Sequence, residues 1–210
     1  MFITFEGVEG SGKSVQIQRA EAYLRSKGVP CLLTREPGGT GFGLAVRRIL
    51  LDEGGPARAP VSELLLYLAD RYQHLREVIE PAVRKGLVVL CDRYHDATRA
   101  YQGGARGVPV DVIDSLAALL EIPEPDGTVL LDTPPEVALA RARTRNVSDG
   151  GAREEGRFEA EDLPFHRSVR AAYLDLARRF PVRIRVVDAL GTPDEVFARI
   201  APLLDRWTRP

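Results

Sequence analysis

Five short apolar segments indicate the β-strands of this chain. They cover residues 2–6, 29–34, 87–92, 128–132 and 183–188. The first four are nearly continuous apolar runs, a pattern typical of strands that are covered on both faces. The fifth alternates arginine with isoleucine and valine, which predicts a half-exposed strand at the edge of a sheet.

Segments with apolar residues at helical spacing lie between these strands. In residues 12–27, Ile17, Ala20 and Leu24 share one helix face, and Gly28 ends the pattern. The other predicted helices cover residues 60–84, 111–120, 135–145, 165–180 and 193–207. Because strands and helices alternate, we expect one α/β domain over residues 1–210, with a five-stranded parallel sheet and helices on both faces. Functional loops should then lie at the carboxyl ends of the strands.

Composition and charge indicate a globular protein and argue against nucleic acid binding, secretion and a membrane span. The 210 residues are 44% hydrophobic and 28% charged, which suffices for one ordinary core. The net charge of −1 gives no indication of a nucleic acid polymer as partner, so any anion site must be local. Apolar runs are too short for a signal peptide or a membrane span, and Cys31 and Cys91 lie in short apolar segments. We therefore expect a cytoplasmic protein with two reduced, buried cysteines.

One segment departs from the alternating pattern. Residues 146–160 are polar and glycine-rich and carry several charges. A solvated loop is the simplest interpretation. The length of the segment, together with Arg153 and Arg157, favours a mobile lid as the alternative, and this lid would span about residues 141–160.

Residues 7–14, GVEGSGKS, match the phosphate-binding pattern GxxxxGK(S/T) in full, and we call them the phosphate loop. A predicted strand precedes the loop and a predicted helix follows it, which is the context that this motif requires. Backbone N–H groups and the helix N-terminus would face the phosphates of a nucleoside triphosphate. Lys13 would reach the β- and γ-phosphates, and Ser14 would bind Mg²⁺. The predicted nucleotide-binding residues are Gly7, Val8, Glu9, Gly10, Ser11, Gly12, Lys13 and Ser14.

Glu9 places a carboxylate inside a loop that should bind anions. Two like charges ~4 Å apart repel by about 4 kcal/mol at an effective dielectric constant of 20. Glu9 should therefore point away from the triphosphate and towards the molecule that accepts the phosphoryl group.

The third predicted strand ends in Asp92 and Arg93. A carboxylate at this position lies near the metal in proteins with a phosphate loop, so Asp92 joins Ser14 as a predicted ligand of Mg²⁺. Arg93 suits a second anion beside the first, whereas a hydrolytic switch mainly needs to position a water molecule. A surface salt bridge between the two residues is the alternative.

Further polar and aromatic residues could hold a base that is attached to the second anion. Tyr67 and Arg71 are four residues apart, so a base could stack on the ring and bond to the guanidinium group. A core aromatic beside a rim arginine is the alternative. The other candidates follow the second and third strands: Arg35, Thr98, Tyr101 and Gln102. Each also has a structural interpretation as a turn, a helix cap or a core residue.

The chain resembles the bacterial thymidylate kinases nearly from end to end. The resemblance rests on FEGVEGSGKS, TREPGGT, LADRYQ, DRYHDATRAYQGG, LDTPPEVALARARTR and FHRSVRAAYLDLA. It implies a P-loop NTPase fold with a short lid, assembled as a homodimer. It also implies that MgATP donates a phosphoryl group to dTMP, giving dTDP for dTTP synthesis.

The resemblance further implies roles for single residues in the dTMP site. Glu9 would receive the 3′-hydroxyl of dTMP, and Tyr67 would stack on thymine. Arg71 and Thr98 would read the edge of the base, and Arg93 would bind the phosphate. The remaining residues implied in this site are Tyr101, which would crowd out a ribose 2′-hydroxyl, together with Gln102 and Arg35.

Members of this family differ in where the catalytic arginine lies. Some carry it in the phosphate loop, at the position where this chain has Gly10. The resemblance therefore implies that the lid supplies it, with Arg157 as the best match and Arg153 as the second candidate. Many members have Asp-Arg where this chain has Gly156 followed by Arg157.

Two other functions remain open from the residues alone. Another nucleoside or nucleotide kinase would share the phosphate loop and the lid. A P-loop binding switch would be expected to carry a base-specificity motif such as NKxD, which the sequence lacks.

Overall fold

The computed structural model describes residues 1–52, 54–148 and 156–208, apart from the side chains of residues 145–148 and 156. The strands are β1 (Phe2–Glu6), β2 (Cys31–Arg35), β3 (Val88–Asp92), β4 (Gly127–Asp132) and β5 (Ile184–Asp188). The helices are α1 (Lys13–Ser26), α2 (Gly41–Leu51), α3 (Pro60–His74), α4 (Glu80–Arg84), α5 (His95–Thr98), α6 (Val110–Leu119), α7 (Pro135–Ser148), α8 (Gly156–Glu159), α9 (Leu163–Arg179) and α10 (Pro193–Thr208). Two π-helical turns, Leu75–Ile79 and Arg99–Ala105, follow α3 and α5.

The five strands form one parallel sheet in the order β2-β3-β1-β4-β5, which confirms the predicted architecture. Strand β1 lies at the centre, between β3 and β4. The phosphate loop therefore leaves the middle of the sheet, and the loop that follows β3 lies beside it. Ligands of such sheets bind outside the carboxyl ends of the strands, where these two loops meet.

Strand burial corrects one prediction. Strands β1, β3 and β4 are buried along nearly their whole length, and β5 is a half-exposed edge strand, as predicted. The apolar run of β2 predicts a strand covered on both faces, but β2 is only partly buried, because it forms the other edge of the sheet. Cys31 on β2 is consequently half-buried rather than buried, whereas Cys91 is buried. Both thiols are free.

Every predicted helix is present, and the structure adds α2 and the short helices α5 and α8. Helix α2 has no counterpart among the predicted helices, because its glycine-rich first turn hides the periodicity of the buried Val46 and Leu50. The predicted helix 60–84 is interrupted by a π-helical turn. Pro81 lacks an N–H group and would clash with the preceding turn of a regular helix, and the wider turn accommodates it.

Apolar layers cover both faces of the sheet. On one face, Phe5 and Leu131 pack with Ile17 of α1 and with Ile200 and Leu204 of α10. On the other face, the cluster includes Leu130, Tyr101, Phe158, Phe165 and Tyr173. Within the described ranges, no helix combines the length and apolar character that a membrane crossing would need.

Strand β1 ends on Glu6, a fully buried carboxyl group. Its Oε1 accepts a hydrogen bond from the backbone N–H of Tyr94 at 2.7 Å, and its Oε2 accepts one from the Tyr173 hydroxyl at 2.7 Å. Desolvation, with a further contribution from the charge of Asp96, raises the pKa of Glu6 from 4.5 to about 8. Near neutral pH the folded protein therefore keeps a proton that the unfolded chain releases.

This proton makes stability depend on pH. Because the folded-state pKa is the higher one, the free energy of unfolding should fall as pH rises from 4.5 towards 8, with a limiting slope of about 1.4 kcal/mol per pH unit. The pKa of Asp70, which burial raises to about 6, acts in the same direction at lower pH. Urea unfolding between pH 6.5 and 8 should show the slope in the wild type and lose most of it in Glu6→Gln. Equal slopes in the two proteins would contradict this assignment.

Candidate active site

The phosphate loop connects β1 to α1 and requires glycine at several positions. Gly7 and Gly12 have φ angles of 142° and 92°, in the region that favours glycine. Lys13 is buried, and its Nζ donates to the carbonyl oxygens of Gly7 at 3.1 Å and of Val8 at 2.9 Å. The loop thus holds the lysine ammonium group against its own backbone, beside the N-terminus of α1.

Gly10 shows why this loop carries no arginine beside Glu9. Its φ angle is 72°, and a Cβ atom at this position would lie 2.0 Å from the carbonyl oxygen of Ala138 in α7. Any side chain would have to displace helix backbone. The glycine at this position therefore has a steric basis in the packing of α7.

Ser14 and Asp92, the two predicted metal ligands, lie together. The Ser14 hydroxyl donates to Oδ2 of Asp92 at 3.4 Å. Oδ1 of Asp92 is buried and has no hydrogen-bond partner among the described residues. A hydroxyl and a carboxylate with a spare oxygen are the donors that Mg²⁺ prefers, so this pair fits the ion.

Glu9 is buried and turned towards the end of β3. Its Oε1 accepts hydrogen bonds from Nη2 of Arg93 at 3.0 Å and from the Tyr101 hydroxyl at 2.6 Å. Its Oε2 lies 3.3 Å from Nδ1 of His166. Oε1 of Glu9 thus bonds to side chains from the loop after β3 and from the π-helical turn after α5, and Oε2 faces α9.

Arg93 occupies a strained position directly after β3. Its φ angle is 69°, which is unusual for a residue with a side chain. Nη1 donates to the Gly7 carbonyl at 3.1 Å, and the guanidinium group lies 4.9 Å from the centre of the Tyr101 ring. The next residue, Tyr94, is held by the Glu6 carboxyl group. The end of β1 therefore holds the backbone that aims Arg93 across the phosphate loop.

One pocket beside the phosphate loop, which we call the acceptor pocket, unites the predicted dTMP-site residues. Its lining includes Glu9, Arg35, Tyr67, Arg71, Arg93, Thr98, Tyr101 and Gln102. Asp92 also lines it, so the pocket reaches the predicted metal ligands. Sequence reasoning missed several lining residues: Glu36, Pro37, Arg47, Leu51, Tyr94, Ala97 and Phe158.

Arg71 is fully buried and firmly oriented. Its Nε donates to Oε2 of Glu36 at 2.8 Å, Nη1 donates to the Thr98 hydroxyl at 2.9 Å, and Nη2 donates to the Tyr94 carbonyl at 2.9 Å. The carboxylate of Glu36 raises the pKa of Arg71 against the opposing effect of burial. These contacts bring Arg71 and Thr98 together, as predicted, and fix the direction of both side chains.

Glu36 is itself held from behind by His74. Its Oε1 lies 2.9 Å from Nδ1 of His74, whose Nε2 lies 2.7 Å from the Thr34 hydroxyl. Glu36, His74 and Cys91 form a compact buried cluster. Burial and nearby carboxylates raise the pKa of the Cys91 thiol well above its usual value, and both Glu36 oxygens are already bonded. This cluster therefore supports Arg71 and does not offer a thiolate for a metal.

The described part of the lid contributes Phe158 to the lining of the acceptor pocket. Phe158 is buried and makes an edge-to-face contact with Tyr101, with ring centres 5.4 Å apart. Arg157 donates to Oε2 of Glu63 at 2.9 Å, and Oε1 of the same carboxylate accepts from Gln102 at 2.9 Å. Arg157 is thus bound to α3 in this arrangement. Arg153, the second candidate, lies outside the described residues.

A second cavity lies on the other side of the phosphate loop, and sequence reasoning missed it. It is lined by Ser11, Gly12, Val15, Gln16, Arg141, Ala189, Gly191, Pro193 and Val196. Arg141 of α7 donates to the Ala189 carbonyl at 3.0 Å, so one wall is fixed between the lid helix and the segment after β5. Only the tertiary structure joins these distant segments.

Comparisons with known proteins agree with this geometry. The sequence profile of the family "Thymidylate kinase" matches residues 5–200. The chain is 47% identical to a thymidylate kinase of Desulfosudis oleivorans, covering 98% of this chain and 97% of the relative. It is 52% identical to a thymidylate kinase of Nitratidesulfovibrio vulgaris, covering 94% and 92%. The crystal structure of thymidylate kinase from Ehrlichia chaffeensis superimposes with a TM-score of 0.75 at 31% identity, covering 97% of this chain and 98% of that one. The chain belongs to the thymidylate kinase family.

Proposed function

We propose that this protein transfers the γ-phosphoryl group of ATP to dTMP and forms dTDP, the reaction that gives its family its name. The observation that carries this proposal is the acceptor pocket. Eight residues with predicted dTMP contacts line it, although they come from four separate segments of the chain. The pocket opens beside a complete phosphate loop, so an acceptor and a donor would meet at one place.

The acceptor phosphate would lie at Arg93. The Arg93 guanidinium group donates to the Gly7 carbonyl and to the Glu9 carboxylate of the phosphate loop. Arg93 also lines the acceptor pocket. A monophosphate is largely dianionic at neutral pH, because its second pKa is ~6, and it needs no general base to attack. Arg93 and Lys13 can hold acceptor and donor oxygens close together, which supplies the alignment that an in-line transfer requires.

We propose Mg²⁺ as the metal that accompanies ATP, held by Ser14 and Asp92. The unpartnered Oδ1 of Asp92 supports this assignment. When bound, the ion neutralises charge on the β- and γ-phosphates. Ser14 lies at the start of α1 and Asp92 at the end of β3, so regular secondary structure positions both residues.

The cavity at Arg141 is the proposed place for the base of ATP. It begins at Ser11 and Gly12 of the phosphate loop and runs along α1 to the segment after β5. A guanidinium plane that is fixed by the Ala189 carbonyl offers a stacking surface for a purine. This cavity and the acceptor pocket lie on either side of the phosphate loop, as a donor and an acceptor require.

Lid closure would complete the site. Phe158 already packs on Tyr101, so the described lid residues exclude water from one wall of the acceptor pocket. We propose Arg157 as the arginine that stabilises the transferred phosphoryl group, with Arg153 as the second candidate. To reach that group, Arg157 would have to exchange Glu63 for the phosphate oxygens.

A coupled ADP-release assay tests the proposed substrate. The assay would compare dTMP, dUMP, TMP, dCMP and dGMP at equal concentrations with MgATP. We expect dTMP to give the highest kcat/KM. Faster turnover with dCMP or dGMP would assign the pocket to another nucleotide kinase, and equal ADP release without any acceptor would indicate a hydrolytic switch.

Discrimination against ribose should depend on Tyr101. The ring is buried beside Glu9 and Arg93, so it fills space where a 2′-hydroxyl would enter. Tyr101→Ala should lower the preference for dTMP over TMP by about tenfold, because a lost steric contact is typically worth ~1–3 kcal/mol. Tyr101→Phe keeps the ring and should keep most of the preference. Unchanged selectivity in Tyr101→Ala would remove this role.

We further propose that the protein is a cytoplasmic homodimer. Its two free thiols suit a reducing compartment. Helix α3 exposes Val61, Leu65 and Tyr72 on one face, with about half of Val61 and Leu65 exposed. Such a stripe of apolar residues supports a helix-to-helix interface with a second copy.

The interface prediction concerns Leu65. Leu65→Glu should shift the protein from a dimer to a monomer, because it would bury two like charges across the symmetric contact. Light scattering after size-exclusion chromatography measures the mass directly. Leu119→Glu, at an exposed position on α6, is the matched control and should leave the mass unchanged. A Leu65→Glu protein that keeps the wild-type mass would place the contact elsewhere.

A further inference from the structure

His166 is buried in the first turn of α9 and lies against the phosphate loop. Its Nδ1 is 3.3 Å from Oε2 of Glu9. Both ring nitrogens of His166, and Oε2 of Glu9, lack a hydrogen-bond partner among the described residues. Buried polar atoms are rarely left without partners, so two such atoms that face each other, Nδ1 of His166 and Oε2 of Glu9, indicate a functional arrangement.

The surroundings of Glu9 show what this contact can do. A carboxylate has about four lone-pair sites on its two oxygens. Arg93 and Tyr101 use two of them, both on Oε1. A bond from Nδ1 of His166 would use a third, on Oε2, and would leave one site on this buried oxygen for a group that enters the acceptor pocket.

The position of His166 separates it from direct contact with a substrate. Glu9 lines the acceptor pocket, whereas His166 is not among the described residues that line it. The ring packs edge-to-face on Phe165, with centres 5.5 Å apart, and the N-terminus of α9 is capped by Asp162, which accepts from Phe165 N–H at 2.9 Å. The imidazole is therefore positioned by the first turn of α9, the helix that follows the lid.

We propose that His166 is a positioning residue that fixes the free oxygen of Glu9, so that Glu9 can read a hydroxyl group on the sugar of the acceptor. The proposal rests on the proposed function, because it assigns the ligand of Glu9 to the acceptor. Arg93 and Tyr101 hold Oε1 from the end of β3 and from the π-helical turn, and His166 holds Oε2 from α9. With the contacts from Arg93, Tyr101 and His166 in place, the carboxylate of Glu9 cannot rotate, and the remaining lone pair of Oε2 points in one fixed direction.

Two substitutions separate this role from a merely structural one. His166→Leu removes the N–H group and keeps an apolar side chain of similar bulk. His166→Asn places an amide nitrogen close to the position of Nδ1 and can restore the bond to Glu9. Each should be made alone and together with Glu9→Ala. If His166→Leu does not fold, His166→Gln is used instead. Its amide nitrogen extends past the position of Nδ1, so this variant should also lack the bond to Glu9.

The readout is the ratio of kcat/KM for dTMP to kcat/KM for 3′-deoxy-dTMP. In the wild type we expect a ratio of about 10–100, the usual effect of a hydrogen bond to a charged group. His166→Leu should lower the ratio by about fivefold or more, and His166→Asn should keep it within about twofold. In the Glu9→Ala background the ratio should be near one, with no further effect of His166→Leu. An unchanged ratio in His166→Leu, or an equal loss with and without Glu9, would overturn the proposal.

A second measurement needs no substrate. The chain has three histidines, so the ring C–H signals of His74, His95 and His166 can be assigned by substitution in an NMR spectrum. Glu9→Gln should move the His166 signals and leave those of His74 and His95 in place. Unmoved His166 signals would refute the contact itself. Failure of the wild type to phosphorylate dTMP would instead refute the proposed function and leave this result readable.

Discussion

Lys13→Ala is expected to lower kcat for phosphoryl transfer by about 10³-fold. The Lys13 ammonium group is buried and held by two carbonyl oxygens of the phosphate loop, so it is already in place before ATP arrives. Alanine removes the positive charge at the β- and γ-phosphates, where charge shifts during transfer. A coupled ADP-release assay with saturating dTMP measures the loss.

Two further variants make this result specific. Lys85→Ala removes an exposed lysine and should keep full activity. Lys13→Arg keeps the charge but replaces a compact ammonium group with a broad planar fork that the loop carbonyls cannot seat in the same way, so it should not restore the rate. Near-normal turnover in a folded Lys13→Ala protein would refute the assignment of the phosphate loop.

Arg157→Ala should also lower kcat by about 10³-fold, with a much smaller change in KM for dTMP. An arginine that meets the phosphoryl group only in the transition state contributes an effect of this order. Since Arg157 lies against Glu63 here, its loss could also act by loosening the lid. Rapid-quench kinetics at saturating substrates separates the chemical step from lid opening and product release.

Glu63→Gln and Arg153→Ala are the matched controls for Arg157. Glu63→Gln breaks the ion pair to Arg157 but keeps a side chain that can bond to Gln102. If Arg157 acts on the phosphoryl group, Glu63→Gln should cost far less than Arg157→Ala. Equal losses would reduce Arg157 to a lid anchor, and a larger loss in Arg153→Ala would move the catalytic role to Arg153.

The sequence predicts the central parts of this molecule well because each has a local cause. An apolar strand, the glycine pattern and Lys13 determine the phosphate loop without help from the rest of the chain. Electrostatic repulsion alone predicts that Glu9 turns away from the triphosphate, and its contacts with Arg93 and Tyr101 agree. The family resemblance implies the residues of the acceptor site, and the fold places these residues in one pocket.

The features that sequence reasoning missed depend on tertiary packing. From the sequence, Glu63 is an ordinary carboxylate in the first turn of a helix, where its negative charge stabilises the positive end of the helix dipole. In the structure it is buried and binds both Gln102 and Arg157. His166 reads as one polar residue in an amphipathic helix, and only the approach of α9 to the phosphate loop reveals its contact with Glu9. Strand β2 carries the apolar pattern of a central strand although it lies at an edge.

The proposed activity requires that the phosphoryl group is transferred to an acceptor instead of to water. A single-turnover reaction with excess enzyme over ATP, in the presence of dTMP and Mg²⁺, can be followed by ³¹P NMR. The geometry of the acceptor pocket beside the phosphate loop predicts that the γ-phosphorus signal is converted into the β-phosphorus of dTDP, with little inorganic phosphate. Inorganic phosphate as the main product, formed at the same rate with and without dTMP, would contradict this activity.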